Sequence, residues 1–353
     1  MIIENSLFIF SHTFNKIHYL SRTNMKFRTE IDLDKSEIEI EHNNRILTLG
    51  SCFAENISEY FKSNRFTLLA NPFGVLYNPV SIFNSLKLSI EKKEFCESDL
   101  IFYQSEWHSF YHHSNFSNHN LSEILTNINI GISTTHDFLK SADIIIITFG
   151  TSYVFNYLAN NTIVSNCHKV EPDKFKHYRL SYDETLSAIK NSVELVEKFN
   201  PKAKFILTVS PVRHWKNGAH NNQLSKANLL FAIDEVVSTK DSCIYFPSYE
   251  ILMDDLRDYR FYNSDLLHPN KIAIDYIWNK FSNSFCSNEC LQTIKEISKI
   301  VDGRNHRVRN IQSDEHQKFV NSMIKKIEEI QSKYQHLSLA EDLDYFQSQR
   351  NNK

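Results

Sequence analysis

Glycine is scarce in this chain: six in 353 residues, where average usage of about 7% would supply roughly 25. A composition rich in Asn, Ile, Lys and Phe accounts for part of the deficit. A chain this sparing spends glycine where the backbone needs it, at Gly50, Gly74, Gly131, Gly150, Gly218 and Gly303. An excess of charge of one sign is also missing. Lys and Arg number 39 against 42 Asp and Glu, a net −3, which leaves no electrostatic footprint for nucleic acid. No apolar run reaches about 18 residues, so no membrane span is expected. The N-terminus has no signal pattern: Glu4 precedes any basic residue, and Asn5, Ser6, Ser11 and His12 break its apolar stretch. The six cysteines are dilute and are expected as reduced thiols in a cytoplasmic protein. Neither C-x-x-C nor H-E-x-x-H spacing occurs, so no metal or other cofactor is expected.

The composition is nonetheless globular, 41% hydrophobic and 13% aromatic, enough for a packed core. Residues 1–24 differ in character from the rest of the chain, as expected of a misassigned start upstream of Met25. Four short apolar runs then appear, Arg45–Gly50, Ala142–Gly150, Ala203–Ser210 and Cys243–Pro247, with Phe66–Ala70 a weaker fifth. Continuous apolar runs of this length suit strands buried on both faces of a parallel sheet. Helical patterns separate them at Ala54–Ser63, Tyr182–Phe199, Gln223–Val237 and Ile272–Phe281; the third carries Leu224, Leu230 and Ile233. This alternation predicts an α/β fold, a three-layer α/β/α sandwich with a five-stranded, mainly parallel sheet. Residues 95–135 interrupt it with a polar-aromatic insertion holding Trp107, His108, His112 and His113, expected to roof the site as a lid. Residues 286–353 form a helical tail. Its apolar stripe, with Val320, Ile324 and Ile327, is expected to pack on the body or join copies into a homo-oligomer.

Open α/β sheets place their sites at the carboxyl ends of strands. Gly50-Ser51-Cys52 follows the first run and leads straight into a helix. Asn71-Pro-Phe-Gly74 follows the weak run, Gly150-Thr151-Ser152 the next, and Arg213-His214 comes after Ser210. Asp265-Leu-Leu-His268 precedes the last helix of the alternating region. A nucleophile at a strand-to-helix turn, loop N–H donors and a late Asp and His together read as acyl transfer.

Gly50-Ser51-Cys52-Phe53-Ala54, Asn71–Pro79, Trp107–Phe116, Thr148–Val154, Asn166–Lys169, Thr208–His214 and Asp254–Pro269 resemble the GSCFA family over roughly residues 25–285. That family is grouped with the SGNH (GDSL-like) hydrolases. The resemblance implies a five-stranded parallel sheet, a catalytic triad and no metal. It assigns His268 as general base and Asp265 as its orienting partner. In strict register with Gly-Asp-Ser, Cys52 takes the nucleophile position; a shift of one residue returns the role to Ser51. A thiol at a helix N-terminus beside a histidine is expected to have a lowered pKa, whereas Ser51 also suits an N-cap. The oxyanion hole is expected to use N–H groups at the turn and at Gly74. The pattern's Asn two residues after the third-block glycine is absent here: Gly150 is followed by Thr151 and Ser152. Thr151, Asn71 or Asn166 would have to supply the donor. His168, Arg213 and His214, with Trp107, His112 and His113 of the insertion, are expected to line the substrate pocket.

The expected activity is ester hydrolysis or acyl transfer on a small-molecule or glycan-linked acyl group. The competing expectation is a non-catalytic binding module that keeps the pocket. A metal site built from His108, His112, His113, Cys167, His168 and His214 lacks any compact ligand spacing.

Overall fold

The computed structural model describes residues 28–306 and 311–350. Residues 1–24 and Met25 lie outside them. The strands are β1 (Arg45–Gly50), β2 (Thr67–Ala70), β3 (Ile101–Tyr103), β4 (Glu106–His108), β5 (Ile144–Phe149), β6 (Tyr153–Tyr157), β7 (Thr162–Val164), β8 (Phe175–Arg179), β9 (Lys204–Val209) and β10 (Cys243–Phe246). The helices are α1 (Cys52–Ser63), α2 (Pro79–Ile90), α3 (Leu121–Leu139), α4 (Tyr182–Phe199), α5 (Gly218–Thr239), α6 (Ser248–Glu250), α7 (Lys271–Phe285), α8 (Asn288–Asn305), α9 (Asp314–Lys333) and α10 (Ala340–Ser348).

The five apolar runs are the five strands of one parallel sheet, in the order β10-β9-β5-β1-β2. Every residue of β5 is buried, as a strand covered on both faces requires. The weak run, β2, is the edge strand beside β1, and its burial is correspondingly partial. One apolar cluster lies on the face covered by α2–α5, joining Leu47, Ile145 and Leu207 to Ile128, Ile189 and Ile233. A second lies on the other face, where Ile46, Ile146 and Ile206 meet Phe53, Phe61, Ile277 and Phe281. Alternate residues of each strand therefore feed opposite layers.

The chain leaves β1 toward β2 on one side and continues through β5, β9 and β10 on the other. The strand order thus reverses beside β1, and the crevice at the carboxyl ends of β1 and β5 is where an open α/β sheet binds ligands.

The 95–135 insertion is fastened down at several points. It contains the β3–β4 hairpin and runs into α3. His113 N–H donates to the Phe73 carbonyl at 2.9 Å, and Ser165 N–H to the Phe110 carbonyl at 2.7 Å. A small antiparallel sheet, β7-β6-β8, follows Gly150 and flanks the carboxyl end of β5. The tail buries its apolar stripe within itself: Val320, Ile324, Ile327 and Ile330 of α9 pack with Ile297 and Ile300 of α8 and Phe346 of α10. Among the described residues no helix is long and apolar enough to cross a membrane.

Helix α5 corrects the expected packing face. Leu224 is 38% exposed, and the buried stripe is Asn222, Ser225, Lys226, Leu229, Ile233 and Val236. Ser225 and Lys226 bond the strand ends instead, which fixes the helix rotation.

Candidate functional site

Strand β1 ends on a conformation that only glycine tolerates. Gly50 has φ +135°, and a Cβ there would stand 2.1 Å from the Thr148 carbonyl oxygen of β5. Its N–H donates to the Asn71 side-chain oxygen at 2.9 Å, and its carbonyl accepts from Leu76 N–H at 2.9 Å. The turn is thus clamped between β5 and the loop after β2. Ser51 N–H donates to Thr148 O at 3.1 Å, and the Ser51 hydroxyl turns inward to cap α1, accepting from Phe53 N–H at 3.3 Å. At 1% exposure this serine faces the core.

Cys52 is the first residue of α1 and is partly exposed. It lines a cavity of about 630 Å³ together with Glu55, Tyr60, Asn263 and His268. Asp265 and His268 sit on the loop before α7. The Asp265 carboxylate accepts from Leu267 N–H at 2.9 Å and His268 N–H at 3.0 Å, and bonds His268 Nδ1 at 2.5 Å. These bonds hold the Asp265 carboxyl down at about 2, the two backbone donors contributing most. Nδ1 is engaged, so Nε2 is the ring nitrogen left for a reacting group. The loop is tethered by Asn263 N–H to the His268 carbonyl at 2.8 Å and by the Arg213 guanidinium to the Leu266 carbonyl at 3.3 Å. Arg213 also lies over the Trp215 and Tyr262 rings. It braces the histidine loop and is absent from the walls of the Cys52 cavity.

The Cys52 thiol departs from expectation. Burial, then the negative charge of Glu55, push its pKa up; the N–H groups of Cys52 and Phe53 and the Lys226 charge pull the other way without prevailing. A thiolate at this position therefore depends on a base taking its proton.

The expected oxyanion donors are largely spent on the fold. Gly74 N–H donates to the Asn71 carbonyl at 2.7 Å, which corrects its assignment as a donor to substrate. Its true constraint is space: at φ +74°, a Cβ would sit 2.3 Å from the His113 Cβ. Gly150 and Thr151 N–H both donate to the Tyr77 carbonyl, at 2.7 and 3.0 Å. The Thr151 hydroxyl bonds Ser225 at 2.9 Å. Asn71 is different. Its oxygen holds Gly50, and its Nδ2 is buried beside the turn with no hydrogen-bond partner among the described residues.

Three other expected pocket residues are packing residues. His112, 1% exposed, stacks on Phe73 at 4.5 Å and bonds Ser109. His168 bonds the Ser109 carbonyl at 2.7 Å through Nε2 and stacks on His108 at 4.7 Å. Trp107 packs against Phe102 and the main core. Burial holds His112 at about 3 and His168 at about 4, as neutral rings. Among the described residues no three His, Cys, Asp or Glu side chains converge as a metal would require.

His113, Thr151, Asn166 and His214 do meet, on the wall of a second cavity of about 650 Å³ over the β6–β8 sheet. His214 packs edge-on against Tyr77 at 5.1 Å, and burial holds it at about 4, with further lowering from Lys226 and His268. His214 and Tyr77, on the wall of this second cavity, also lie within electrostatic reach of His268 and Cys52.

Lys226 is the residue that escapes sequence reading. It is 1% exposed, and its ammonium donates to the carbonyls of Gly150 at 2.8 Å and Ser210 at 2.7 Å. Burial brings it down to about 7. A lysine three residues before Leu229 and seven before Ile233 falls on the apolar stripe of a helix, and that spacing is the signal that could have found it.

Three solved structures show weak likeness. One, from Streptococcus pneumonia and described in terms of platelet activating factor, has 13% identity and a TM-score of 0.38, covering 68% of this chain and 83% of its own. An acetyl xylan esterase from the rumen bacterium Butyrivibrio proteoclasticus has 10% identity and a TM-score of 0.35, over 69% and 64%. A carbohydrate esterase family 3 protein from Talaromyces cellulolyticus has 10% identity and a TM-score of 0.34, over 72% and 99%. No curated protein matches the chain. The family profiles are decisive: the C-terminal domain of GSCFA domain proteins matches residues 297–352, and the GSCFA profile matches residues 45–281. The chain belongs to the GSCFA family.

Proposed function

We propose that this chain is an SGNH-like hydrolase of ester bonds, or the corresponding acyltransferase, with Cys52 as nucleophile. The observation that carries the reading is that His268, its Nδ1 held by Asp265, lies on the wall of the same cavity as Cys52, at the carboxyl end of β1. Cys52 Sγ attacks the acyl carbonyl while His268 Nε2 takes the thiol proton. The tetrahedral intermediate collapses, the C–O bond breaks, and the imidazolium returns the proton to the leaving alkoxide. Water, or an acceptor hydroxyl, then attacks the thioester with His268 as base, releasing acid or transferred ester and the free thiol. Asp265 holds the ring orientation and favours the imidazolium. Ser51 is the weaker candidate, because its hydroxyl is buried in the cap of α1. The unpartnered Asn71 amide is the side-chain donor nearest in role to the missing third-block Asn.

The test is hydrolysis of aryl acetates by the parent and by Cys52→Ala, Ser51→Ala and His268→Ala. Loss with Cys52→Ala and His268→Ala supports the assignment. Activity in the parent that survives both substitutions refutes it.

A second reading has its own support. The N–H groups of Gly74, Gly150 and Thr151 are consumed by backbone carbonyls, and the Cys52 thiol is pushed up. Losing one oxyanion donor costs about 10²–10³ in rate, so these features favour a binding module that keeps the pocket without turnover. Covalent labelling of Cys52 by an acylating probe, abolished in His268→Ala, counts against that reading.

A further inference from the structure

The cavity over the β6–β8 sheet differs in charge from the one beside Cys52. Its wall carries Lys169, Lys216, His113, His177 and His214, and no Asp or Glu lines it among the described residues. The Cys52 cavity has Glu55 and Glu59 on its wall against one cation, Lys271. The rings of Tyr153 and Phe155 form an apolar floor, with the Lys216 ammonium 5.7 Å from the Phe155 ring centre. Burial, and then the Lys216 charge, lower the His177 pKa. His113 takes its place because Gly74 has no side chain to block it, so the loop after β2 shapes this cavity as well as the turn at Gly50.

We propose that this cavity binds a small organic anion, a phosphate or carboxylate attached to a ring or apolar body, with the anion on Lys169 and Lys216 and the body on Tyr153 and Phe155. Cationic side chains beside aromatic faces recognise both parts of such a molecule at once. Two of the cavity's wall residues, Tyr77 and His214, lie within electrostatic reach of Cys52 and His268. It names a substrate class for the hydrolase reading and rests on that reading only for what the bound anion is used for: an acyl ester carrying a negative group on the far side of His214.

Calorimetric titration of the full chain with phenylphosphonate, benzoate, inorganic phosphate and benzyl alcohol tests the assignment. Expected is saturable binding of at least one ring-bearing anion, about tenfold or more tighter than benzyl alcohol or inorganic phosphate, since tenfold is about 1.4 kcal/mol. Phenylphosphonate against benzoate separates the phosphate-type from the carboxylate-type ligand. The double variant Lys169→Ala/Lys216→Ala alters two exposed side chains and is expected to weaken that binding by about tenfold with unchanged melting. Binding of benzyl alcohol as tight as that of the anions, no saturable binding of either ring-bearing anion, or full affinity in the double variant overturns the proposal. Binding is read without turnover. Anion binding in a chain whose Cys52 takes no label from an acylating probe upholds this cavity and counts against the hydrolase reading; His268-dependent labelling or turnover without anion binding does the reverse.

Discussion

Replacing Gly50 by alanine puts the junction of sheet and nucleophile turn under direct test. The new Cβ would stand 2.1 Å from the carbonyl oxygen, 2.8 Å from the carbonyl carbon and 2.9 Å from the nitrogen of Thr148. All three are backbone atoms of β5, which pairs with β1 in register at Gly50 and Thr148, so no rotamer change relieves the clash. Three costs add up. A non-glycine residue at positive φ costs about 1–2 kcal/mol. Overpacking against rigid neighbours costs about 1–3 kcal/mol. Parting the strands breaks the buried bond from Ser51 N–H to Thr148 O, for about 1–3 kcal/mol. The total is about 3–8 kcal/mol, a large share of the 5–15 kcal/mol typical of folded proteins. At about 2–4 °C per kcal/mol, the melting temperature should fall by at least about 6 °C. Gly131→Ala is the control. It lies within α3, its nearest new contact is an ordinary 3.5 Å to the Pro72 carbonyl, and removing a helical glycine should stabilise by about 0.5–1 kcal/mol. Thermal and urea unfolding of the two variants give the answer. A Gly50→Ala protein melting within about 2 °C of the parent would refute the claim that glycine is obligatory at this turn.

Asp265→Asn removes the acceptor that holds His268 Nδ1. Turnover should fall about 10²–10⁴-fold, with little change in melting because both side chains are about half exposed; equal turnover would remove Asp265 from the machinery. Lys226 supplies a pH signature. In the native state burial holds it at about 7, while in the unfolded chain it stays protonated to about 10.4. The unfolded state binds the extra proton in that window, so stability rises with pH there, by up to about 1.4 kcal/mol per pH unit. The urea midpoint of Lys226→Met should lack this rise between about pH 7 and 9.5, and parallel curves for parent and variant would contradict it. Four histidines, His42, His112 and His168 buried and His214 half-buried, act at lower pH: desolvation holds His42, His168 and His214 at about 4 and His112 at about 3. Their unfolded values lie near 6.5, so stability should be lost as pH falls from about 6.5 toward 4, and His112→Phe should soften that loss. A urea midpoint independent of pH over this range would refute the assignment.

The sheet is legible in the sequence because buried parallel strands write an uninterrupted apolar run. Ile144–Phe149 carries no polar residue except Thr148, and Tyr182–Phe199 is bounded correctly at both ends because a serine–glutamate capping box starts it and Asn200-Pro201 ends it. The histidine loop is legible too, since Asp265 and His268 are three residues apart and their bond is local. The insertion is harder to read. His112 and His113 are neighbours with identical chemistry, yet one stacks on Phe73 in the core and the other lines a cavity. Their fates are settled by the distant loop after β2, where Phe73 stacks on the first and Gly74 leaves room for the second.

Periodicity set the parallel sheet, and the family motifs marked the turn at Gly50-Ser51-Cys52 and the Asp265–His268 pair, so these could be read from the chain alone. Which groups remain free to act was settled by packing between distant segments. It spent the N–H groups of Gly150 and Thr151 on the Tyr77 carbonyl and brought Lys226 under the ends of β5 and β9. Hydrogen-bond satisfaction and burial depend on what the rest of the chain brings alongside, and that is fixed only when the layers close.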